Sequence, residues 1–541
     1  MEVWDVIVLG DGPAGLQAAA EAAAAGASVL QVTAGALGGR DASMLDGLAA
    51  ALGEDTNRGH REDTIRAGAF LADQDVVASA TASAVREVDL LERRGVVFRR
   101  DARGLPATHR LPGHGRPRVT GAGDADSREV QQVLEEQGMR HGVVRRGDQL
   151  PLRLVHANQR VQGLVVADLV GGRVLGLQCK ALILADGGAV GALIDGRGGL
   201  GLDLALQAGL PLRDMEFVAS SPLGLKDTGM VLPMSLLASG AVLCEADGTP
   251  LDLGDDLSSA VRAVRTAASP VLDMRNIGAS RPWYDATFRL IKQRTGVDAD
   301  VQTVAVEARP LSVLGGVAVD EQGRAVLGVW SRWFTGLWAA GDAACTGMHG
   351  AALLPGNLGL DALVSGRSAG ESAGAWVKDA ASGGAAMIAA AVEEAEADLA
   401  AMFAATPGED GAVRTGLVGG EVAGLMRATL DDGCTSESLE AAMTALDALE
   451  VASEALHLDD TSLVANTNLV DVLELQAGVR QARAILLSAM SRTESRGSHV
   501  RHDHAEADPE QLHHTLVSAD GTTGRLALRK GASGHWVLSP P

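Results

Sequence analysis

The 541-residue sequence is poor in cysteine, and its four cysteines are far apart. No two of them form a C-x-x-C pair, so the sequence indicates neither a metal site nor an iron–sulfur cluster in this chain. We expect buried thiols in a reducing compartment. Aromatic residues make up only 3% of the chain, so alanine, leucine and valine must fill the core that 46% hydrophobic residues allow.

Positive charge and long apolar runs are also scarce. The 46 lysine and arginine residues face 69 aspartate and glutamate residues, and the net charge of −23 argues against a nucleic-acid partner. No apolar run approaches the roughly 20 residues of a membrane-spanning helix, so we expect no direct membrane insertion. The first residues lead straight into a core strand, and we therefore expect no signal peptide and a cytoplasmic protein.

A glycine motif near the N-terminus organises the rest of the chain. The apolar run Val6–Leu9 predicts a buried parallel strand, and an alanine-rich helix is predicted from about Ala14 to Ala25. Between them, Gly10 permits a tight turn, Gly12 lets the backbone approach a pyrophosphate, and Gly15 lets helix and strand pack closely. The helix N-terminus offers free N–H groups to the phosphates. The motif therefore predicts dinucleotide binding.

Later segments suit the same unit. A second strand over residues 27–32 ends at Thr33, where such proteins often carry an acidic residue for a ribose hydroxyl. Apolar strands also end in glycine at Ala185–Ala189 and at Leu337–Ala344, and Asp342 suits a ribityl or ribose hydroxyl. Residues 38–53 are small and flexible, which is typical equally of a loop around a cofactor and of a surface loop.

The order of these elements predicts an α/β protein. A Rossmann-type domain, residues 1–214 and 336–375, contains an insertion at 215–335 and precedes a helical domain at 376–490. The polar, histidine-bearing tail, 491–541, is expected to be solvated rather than to bind a metal. Helices are predicted, among others, over 257–266, 284–295, 385–405, 435–456 and 466–490.

Several motifs carry a family likeness along nearly the whole chain. In order they are Gly10–Gly15, Ala185–Ala189, Ala208–Phe217, Gly315-Gly316, Leu337–Asp342, His349–Ala351, Gly356-Asn357, Asn466–Val470 and Arg492–His499. This series resembles the flavoprotein subunit of succinate dehydrogenase and fumarate reductase, a family that includes L-aspartate oxidase. The resemblance implies an FAD-binding domain, a mobile capping domain formed by the insertion, and a helical domain.

The resemblance implies FAD as the cofactor. Asp342 stands where the family has an acidic residue, normally glutamate, and Asn357 stands in the loop that approaches the flavin ring. The family commonly attaches FAD to a histidine in a Ser-His-Thr stretch, but Asp41 replaces that histidine, so we expect non-covalent FAD. The candidate cofactor-binding residues are Gly10, Gly12, Pro13, Ala14, Gly15, Thr33, Gly39, Gly47, Ala185, Gly187, Gly341, Asp342 and Asn357.

The dicarboxylate site of the family is altered. Its His-Pro-Thr-Gly reads Ser221–Gly224, so Leu223 replaces the threonine. Leu311 stands for the histidine before the double glycine, and Leu353 stands for the carboxylate-binding arginine. The Thr-Glu-x-x-Arg segment, part of the substrate and proton-delivery set, reads Pro233–Leu237.

The catalytic arginine of the capping domain aligns near Ala260, with Arg262 and Arg265 close by. A buried dianion needs paired cations, because its desolvation otherwise costs several kcal/mol per charge. We therefore expect an FAD-dependent oxidoreductase or electron-transfer subunit that does not act on succinate or fumarate. The remaining catalytic candidates are Ser221, Arg262 and His349, and no metal is expected.

Two other hypotheses stay open: a working succinate dehydrogenase or fumarate reductase flavoprotein with a rearranged site, and a non-catalytic structural subunit. The family resemblance also implies an iron–sulfur subunit as partner and a membrane anchor. Such partners would place this chain peripherally at the inner face of a membrane.

Overall fold

The computed structural model describes residues 2–38, 45–405 and 413–541, so Gly39 and Asp41 lie outside the described residues. The strands are β1 (Glu2–Leu9), β2 (Val29–Val32), β3 (Leu48–Ala49), β4 (Val119–Thr120), β5 (Val144–Arg146), β6 (Gln149–Ala157), β7 (Arg160–Asp168), β8 (Arg173–Leu184), β9 (Leu212–Arg213), β10 (Val218–Leu225), β11 (Val242–Glu245), β12 (Pro270–Asp273), β13 (Val304–Val313), β14 (Gly316–Ala318), β15 (Arg324–Val326), β16 (Trp333–Ala339), β17 (Ala344–Cys345), β18 (His514–Val517) and β19 (Thr523–Leu526). The helices are α1 (Pro13–Ala24), α2 (Asn57–Ala67), α3 (Gln74–Arg94), α4 (Asp126–Arg140), α5 (Gly191–Ile194), α6 (Leu200–Gln207), α7 (Ser235–Ala238), α8 (Leu257–Thr266), α9 (Asp285–Thr295), α10 (Asn357–Trp376), α11 (Ala385–Ala405), α12 (Thr415–Leu430), α13 (Ser436–Glu454) and α14 (Thr467–Ser491).

The main sheet has β1 near its centre, between β2 and β8, and both neighbours run parallel to it. The strands β6, β7 and β8 form an antiparallel meander, as the alternation in their sequence predicts. The second half of β8 pairs with β16 in parallel, so the late strand returns to the sheet beside the first βαβ unit. The predicted Rossmann-type α/β fold is confirmed.

Small residues let α1 and α10 pack at short range over this sheet. A β-carbon at Gly366 would lie 2.5 Å from the carbonyl oxygen of Ala14, and one at Gly370 would lie 2.3 Å from that of Ala18. Larger side chains would therefore separate the two helices. The scarcity of aromatic residues thus corresponds to a core in which backbones approach closely.

The insertion forms its own antiparallel sheet in the order β10-β13-β12-β11, with α8 beside it. The helix α9 contributes Phe288 and Ile291 to the same hydrophobic cluster as this sheet and α8. The short strand β14 pairs with β9 and β17, and β15 pairs with β16 of the main sheet. We therefore propose that the insertion ends near residue 314 rather than at 335, since the chain has by then returned to strands of the first domain.

The C-terminal residues pack onto the rest of the protein, so the expectation of a solvated tail is wrong. The strand β18 pairs with β9, and His499 and His514 are buried. Arg492 is also fully buried and pairs with Glu216 and Glu494. Charged partners from distant parts of the chain neutralise each other, which is why a polar segment can be buried here.

None of the helices in the described residues is long and apolar enough to cross a membrane.

Candidate functional site

The N-terminus of α1 is open to a ligand. Gly12 is the N-cap residue and Pro13 follows it, and no side chain caps the helix and no acidic residue lies in its first turn. Among the described residues, no side chain therefore caps the first-turn N–H groups at the positive end of the helix dipole. This arrangement fits a pyrophosphate.

The other two glycines of the motif hold the turn against the sheet. Gly10 has a φ of +110°, and a β-carbon there would lie 2.1 Å from the carbonyl oxygen of Ala185. A β-carbon at Gly15 would lie 2.4 Å from the carbonyl oxygen of Gly10. Both positions exclude any larger residue because the backbones touch.

Two buried side chains that the sequence reasoning missed also fix this turn. The amide of Gln31 donates a hydrogen bond of 2.8 Å to the carbonyl of Gly10, and Asp11 accepts one of 2.8 Å from the N–H of Gly38. Thr33 lies at the same edge, where its N–H donates to the carbonyl of Arg146. One sequence signal could have revealed the role of Gln31: it is a polar residue inside an otherwise apolar strand.

The later glycine segments meet beside α1. A β-carbon at Gly188 would lie 2.5 Å from the carbonyl oxygen of Asp342, and one at Gly341 would lie 2.7 Å from the β-carbon of Ala14. Gly187 has a φ of +96° and open space around it, and Asp342 accepts a hydrogen bond of 3.3 Å from Ser312. The candidates from three separate segments therefore share one edge of the sheet.

Two further candidates, Asn357 and Gly47, contact other segments of the first domain. The buried amide of Asn357 donates to Thr64 at 3.1 Å and lies 2.9 Å from Nε2 of His60, so α2 holds its side chain. Gly47 has a φ of +78°, and a β-carbon there would lie 2.4 Å from the carbonyl oxygen of Thr120. The sequence did not predict these hydrogen bonds between Asn357 and α2.

His349 is buried in the loop that precedes α10. Its Nε2 lies 3.2 Å from Asp361, which also accepts a hydrogen bond from Thr346. Its Nδ1 has no hydrogen-bond partner among the described residues. A buried ring nitrogen without a protein partner is the kind of group that a bound cofactor would satisfy. The residues present therefore fit a bound cofactor at His349 as well as at the N-terminus of α1.

Two buried carboxyl groups near Gly47 were also missed. Asp46 accepts a hydrogen bond of 2.8 Å from the N–H of Met234, and burial raises the pKa of Asp46 to about 6. Burial, with a contribution from the charge of Asp46, raises the pKa of Asp126 well above its ordinary value. Asp46 thus joins the first domain to the insertion through a carboxyl group that titrates near neutral pH.

The positions that match the dicarboxylate site are apolar and buried. Leu223, Leu311 and Leu353 belong to one hydrophobic cluster and are 0%, 5% and 3% exposed. Ser221 is also buried, and its hydroxyl accepts a hydrogen bond of 3.2 Å from the N–H of Leu223. The cluster is continuous with the core of the insertion.

The arginines of α8 lie next to this cluster. Ala260 is fully buried. Arg265 donates to Ser220 at 3.3 Å and forms an ion pair of 3.0 Å with Asp431, which follows α12. Arg262 is exposed and lines two cavities beside Leu353. In the described ranges no hydrogen bond or ion pair joins the three catalytic candidates Ser221, Arg262 and His349.

The part of the chain that the structure describes contains no group of three or more His, Cys, Asp or Glu side chains that could hold a metal ion. All four cysteines are buried free thiols.

Comparison with known proteins gives one family along most of the chain. A model of the FAD binding domain matches residues 5–358, and a model of the fumarate reductase flavoprotein C-terminus matches residues 421–532. The fumarate reductase flavoprotein subunit of Escherichia coli K12 is 29% identical over 96% of this chain and 92% of its own length. The L-aspartate oxidase of Agrobacterium fabrum is 31% identical over 96% of this chain and 95% of its own length.

Solved structures agree with this assignment. A quinol–fumarate reductase with menaquinol molecules superposes with a TM-score of 0.89 at 26% identity and covers 100% of both chains. Adenylylsulfate reductase from Archaeoglobus fulgidus shares the fold at 16% identity, with a TM-score of 0.76 over 99% of this chain and 97% of its own. The matched domain and the open turn at Gly12 together make this chain an FAD-binding protein. The chain belongs to the family of succinate dehydrogenase and fumarate reductase flavoprotein subunits, which includes L-aspartate oxidase.

Proposed function

We propose that this protein is an FAD-dependent oxidoreductase or electron-transfer flavoprotein subunit whose substrate is neither succinate nor fumarate. One observation carries the proposal: Leu223, Leu311 and Leu353, which the family resemblance matches to the dicarboxylate positions, are buried in a single hydrophobic cluster.

The energetics favour this proposal over dicarboxylate binding. Moving a carboxylate out of water costs several kcal/mol unless cations and donors replace the water. Each charge-assisted hydrogen bond contributes roughly 1.5–3 kcal/mol, and a leucine contributes none. Three leucines in place of charged or polar residues would leave both carboxylates of a dianion without the hydrogen bonds that replace water.

Proton delivery is weakened in the same way. The segment Pro233–Leu237, which matches the proton-delivery set, contains no side chain that titrates near neutral pH. Its one polar residue, Ser235, accepts a hydrogen bond from the buried hydroxyl of Tyr284. Reduction of a carbon–carbon double bond needs a positioned proton donor as well as a hydride, so this segment does not support it.

The residues that would hold FAD are those of the shared sheet edge. The N-terminus of α1 at Gly12 would bind the pyrophosphate of FAD. Asp342 would accept a hydrogen bond from a ribityl or ribose hydroxyl, and Nδ1 of His349 would pair with a polar atom of the flavin ring. When bound, FAD supplies the exchange of a hydride or electrons. We propose that the attachment is non-covalent because Asp41 stands at the position of the linking histidine.

A second candidate function is that of a working fumarate reductase or succinate dehydrogenase flavoprotein with a rearranged site. The whole-length similarity to the Escherichia coli subunit supports it, as does the position of Arg262 and Arg265 beside Leu353. That function requires a cation to reach the substrate carboxylates from α8 instead of from the Leu353 loop.

We also propose that the chain works as a subunit with an iron–sulfur partner and a membrane anchor, at the inner face of a membrane. The names of the relatives, which are flavoprotein subunits, support this proposal. Co-purification of a tagged chain from its native cells, followed by iron determination, tests it.

The activity test uses the purified FAD-loaded chain. Fumarate reduction is followed with reduced benzyl viologen, and succinate oxidation with phenazine methosulfate and a dye. We expect neither activity, while dithionite still bleaches the flavin absorbance, which separates a missing substrate site from a missing cofactor. Turnover of either acid would replace the first proposal with the second candidate.

A further inference from the structure

Two neighbouring cavities lie between the insertion, the Leu353 loop and the C-terminal segment. Their volumes are about 500 and 410 Å³, within the range of small-molecule sites. Six residues line both cavities and mark the place where the cavities meet. We call the two cavities together the cap groove. The shared residues are Leu257, Ser258, Arg262, Ala352, Leu353 and Gly497.

The walls of the cap groove are mainly apolar at the larger cavity. Seven apolar residues line it: Val218, Ala219, Leu257, Val261, Ala352, Leu353 and Val500. Leu353 belongs to the loop that in the family carries the carboxylate-binding arginine, so the groove adjoins the position where related proteins hold their substrate. An apolar body in this groove would be removed from water, and that burial favours binding.

Three arginines line the groove, and two of them are held by carboxylates of the protein. Arg265 is held by Asp431 at 3.0 Å, and Arg66 lies 3.2 Å from Glu62. Arg262 has no ion pair in the described ranges, and it lines both cavities at their junction. Its guanidinium is therefore the group that can pair with an anion without first losing a protein partner.

The groove is unsuited to a second negative charge. Asp431 and Asp432 line the larger cavity, and Asp63, Asp255 and Asp256 line the smaller one. A dicarboxylate paired with Arg262 at one end would place its other end against leucine and valine or against these carboxyl groups. Both outcomes are unfavourable, the first by desolvation and the second by repulsion.

We propose that the cap groove binds a monocarboxylate with an apolar body, and that Arg262 pairs with its carboxylate. The inference rests on the proposed function, because it names the class of molecule that takes the place of the dicarboxylate. Apolar contacts with Leu257, Val261 and Leu353 supply affinity, and Arg262 sets the orientation of the carboxylate at the junction of the cavities.

The test is calorimetric titration of the FAD-loaded full chain with octanoate, with octanamide and succinate as comparison ligands. We expect octanoate to bind at one site, octanamide to bind at least about tenfold more weakly, and succinate not to displace octanoate. Arg262→Gln weakens octanoate binding at least about tenfold, and Arg262→Lys retains most of it. Arg294→Gln, an exposed arginine on α9 away from the groove, serves as the matched control and binds like the wild type.

The inference is overturned if octanoate does not bind, if Arg262→Gln binds it like the wild type, or if succinate displaces it at equal concentration. Arg262 is exposed, so its substitution leaves the core intact and a folded variant is available. Failure of octanoate binding without any succinate turnover removes this inference alone. Succinate turnover in the activity test removes the proposed function, whatever octanoate does.

Discussion

His514 lies 2.6 Å from Asp214, a residue 300 positions earlier in the chain, and neither is exposed to solvent. The other ring nitrogen of His514 lies 3.1 Å from Asp73, which also pairs with Arg213. Burial lowers the pKa of His514, but the negative charges of Asp214 and Asp73 outweigh it and raise the pKa overall. The imidazole of His514 therefore joins the C-terminal segment to the first domain through two buried carboxyl groups.

We expect His514→Gln to lower the free energy of unfolding by about 3 kcal/mol, because it removes a positive charge that pairs with two buried carboxylates. The folded pKa of His514 is raised, so its contribution is fully present below the unfolded pKa of about 6.5 and is lost as pH rises through the folded value. Melting curves of both proteins between pH 6 and 9 test this, and the gap between them should narrow as the pH rises. The exposed His535, changed to Gln, is the control. Equal melting temperatures for His514→Gln and wild type at pH 6 would contradict the assignment.

The same cluster explains what the sequence could not predict. The predicted helices over 257–266, 385–405 and 466–490 have strong periodic patterns or alanine-rich composition, and α8, α11 and α14 confirm them. The C-terminal segment is rich in charge, and its burial depends on partners hundreds of residues away. The expectation of a solvated tail was wrong because composition shows which residues are charged but not which of them pair in the fold.

Two further misses have local causes. The helix α12 contains several glycines, which disfavour a helix, yet a β-carbon at Gly419 would lie 2.4 Å from the carbonyl oxygen of Asp195. The glycine is needed for helix packing, and only tertiary structure reveals that need. The hydrogen bonds of the Asn357 side chain with His60 and Thr64 were also not predicted, because no pattern in the sequence connects these residues to it.

Gly12→Val is expected to abolish FAD binding, because a side chain at the N-cap of α1 would block the approach to the pyrophosphate. The measurement is the flavin absorbance per folded chain after purification, with circular dichroism as the check on folding. Gly10 is unsuitable for this test, since a β-carbon there would clash with Ala185 and disturb the fold itself. Gly420→Val is the control, because this glycine is exposed on α12 with open space around it. Stoichiometric flavin in folded Gly12→Val would rule out this placement of the cofactor.

Leu311→Arg is expected to destabilise the protein by several kcal/mol, because it introduces a charge into a cluster of apolar side chains without a partner. Leu311→Met keeps the volume and the apolar character, and it should cost less than about 1.5 kcal/mol. Thermal denaturation of the two variants, each with and without succinate, distinguishes packing from binding. If Leu311→Arg is as stable as Leu311→Met, the position is polar and accessible, and the argument against a dicarboxylate site loses its support.

Asp46→Asn is expected to stabilise the protein at pH 8 and to leave it unchanged at pH 4. Burial raises the folded pKa of Asp46 to about 6 from the ordinary 3.8, so the folded state keeps a proton that the unfolded state releases. The free energy of unfolding therefore falls as pH rises from about 4 to about 6 and stays lower above that range. A shift of about two units corresponds to about 3 kcal/mol. Asparagine stays neutral throughout, and its amide oxygen can accept the same hydrogen bond from Met234.

Melting temperatures of Asp46→Asn and wild type, measured in the same buffers from pH 4 to pH 8, test the Asp46 prediction. Asp379→Asn is the control, because Asp379 is exposed and its substitution should give the wild-type profile. Parallel profiles for Asp46→Asn and wild type would mean that Asp46 ionises as it does in water. The boundary between the first domain and the insertion would then be wetter than the buried contact with Met234 implies, and the hydrogen bond would have to form with a charged carboxylate at neutral pH.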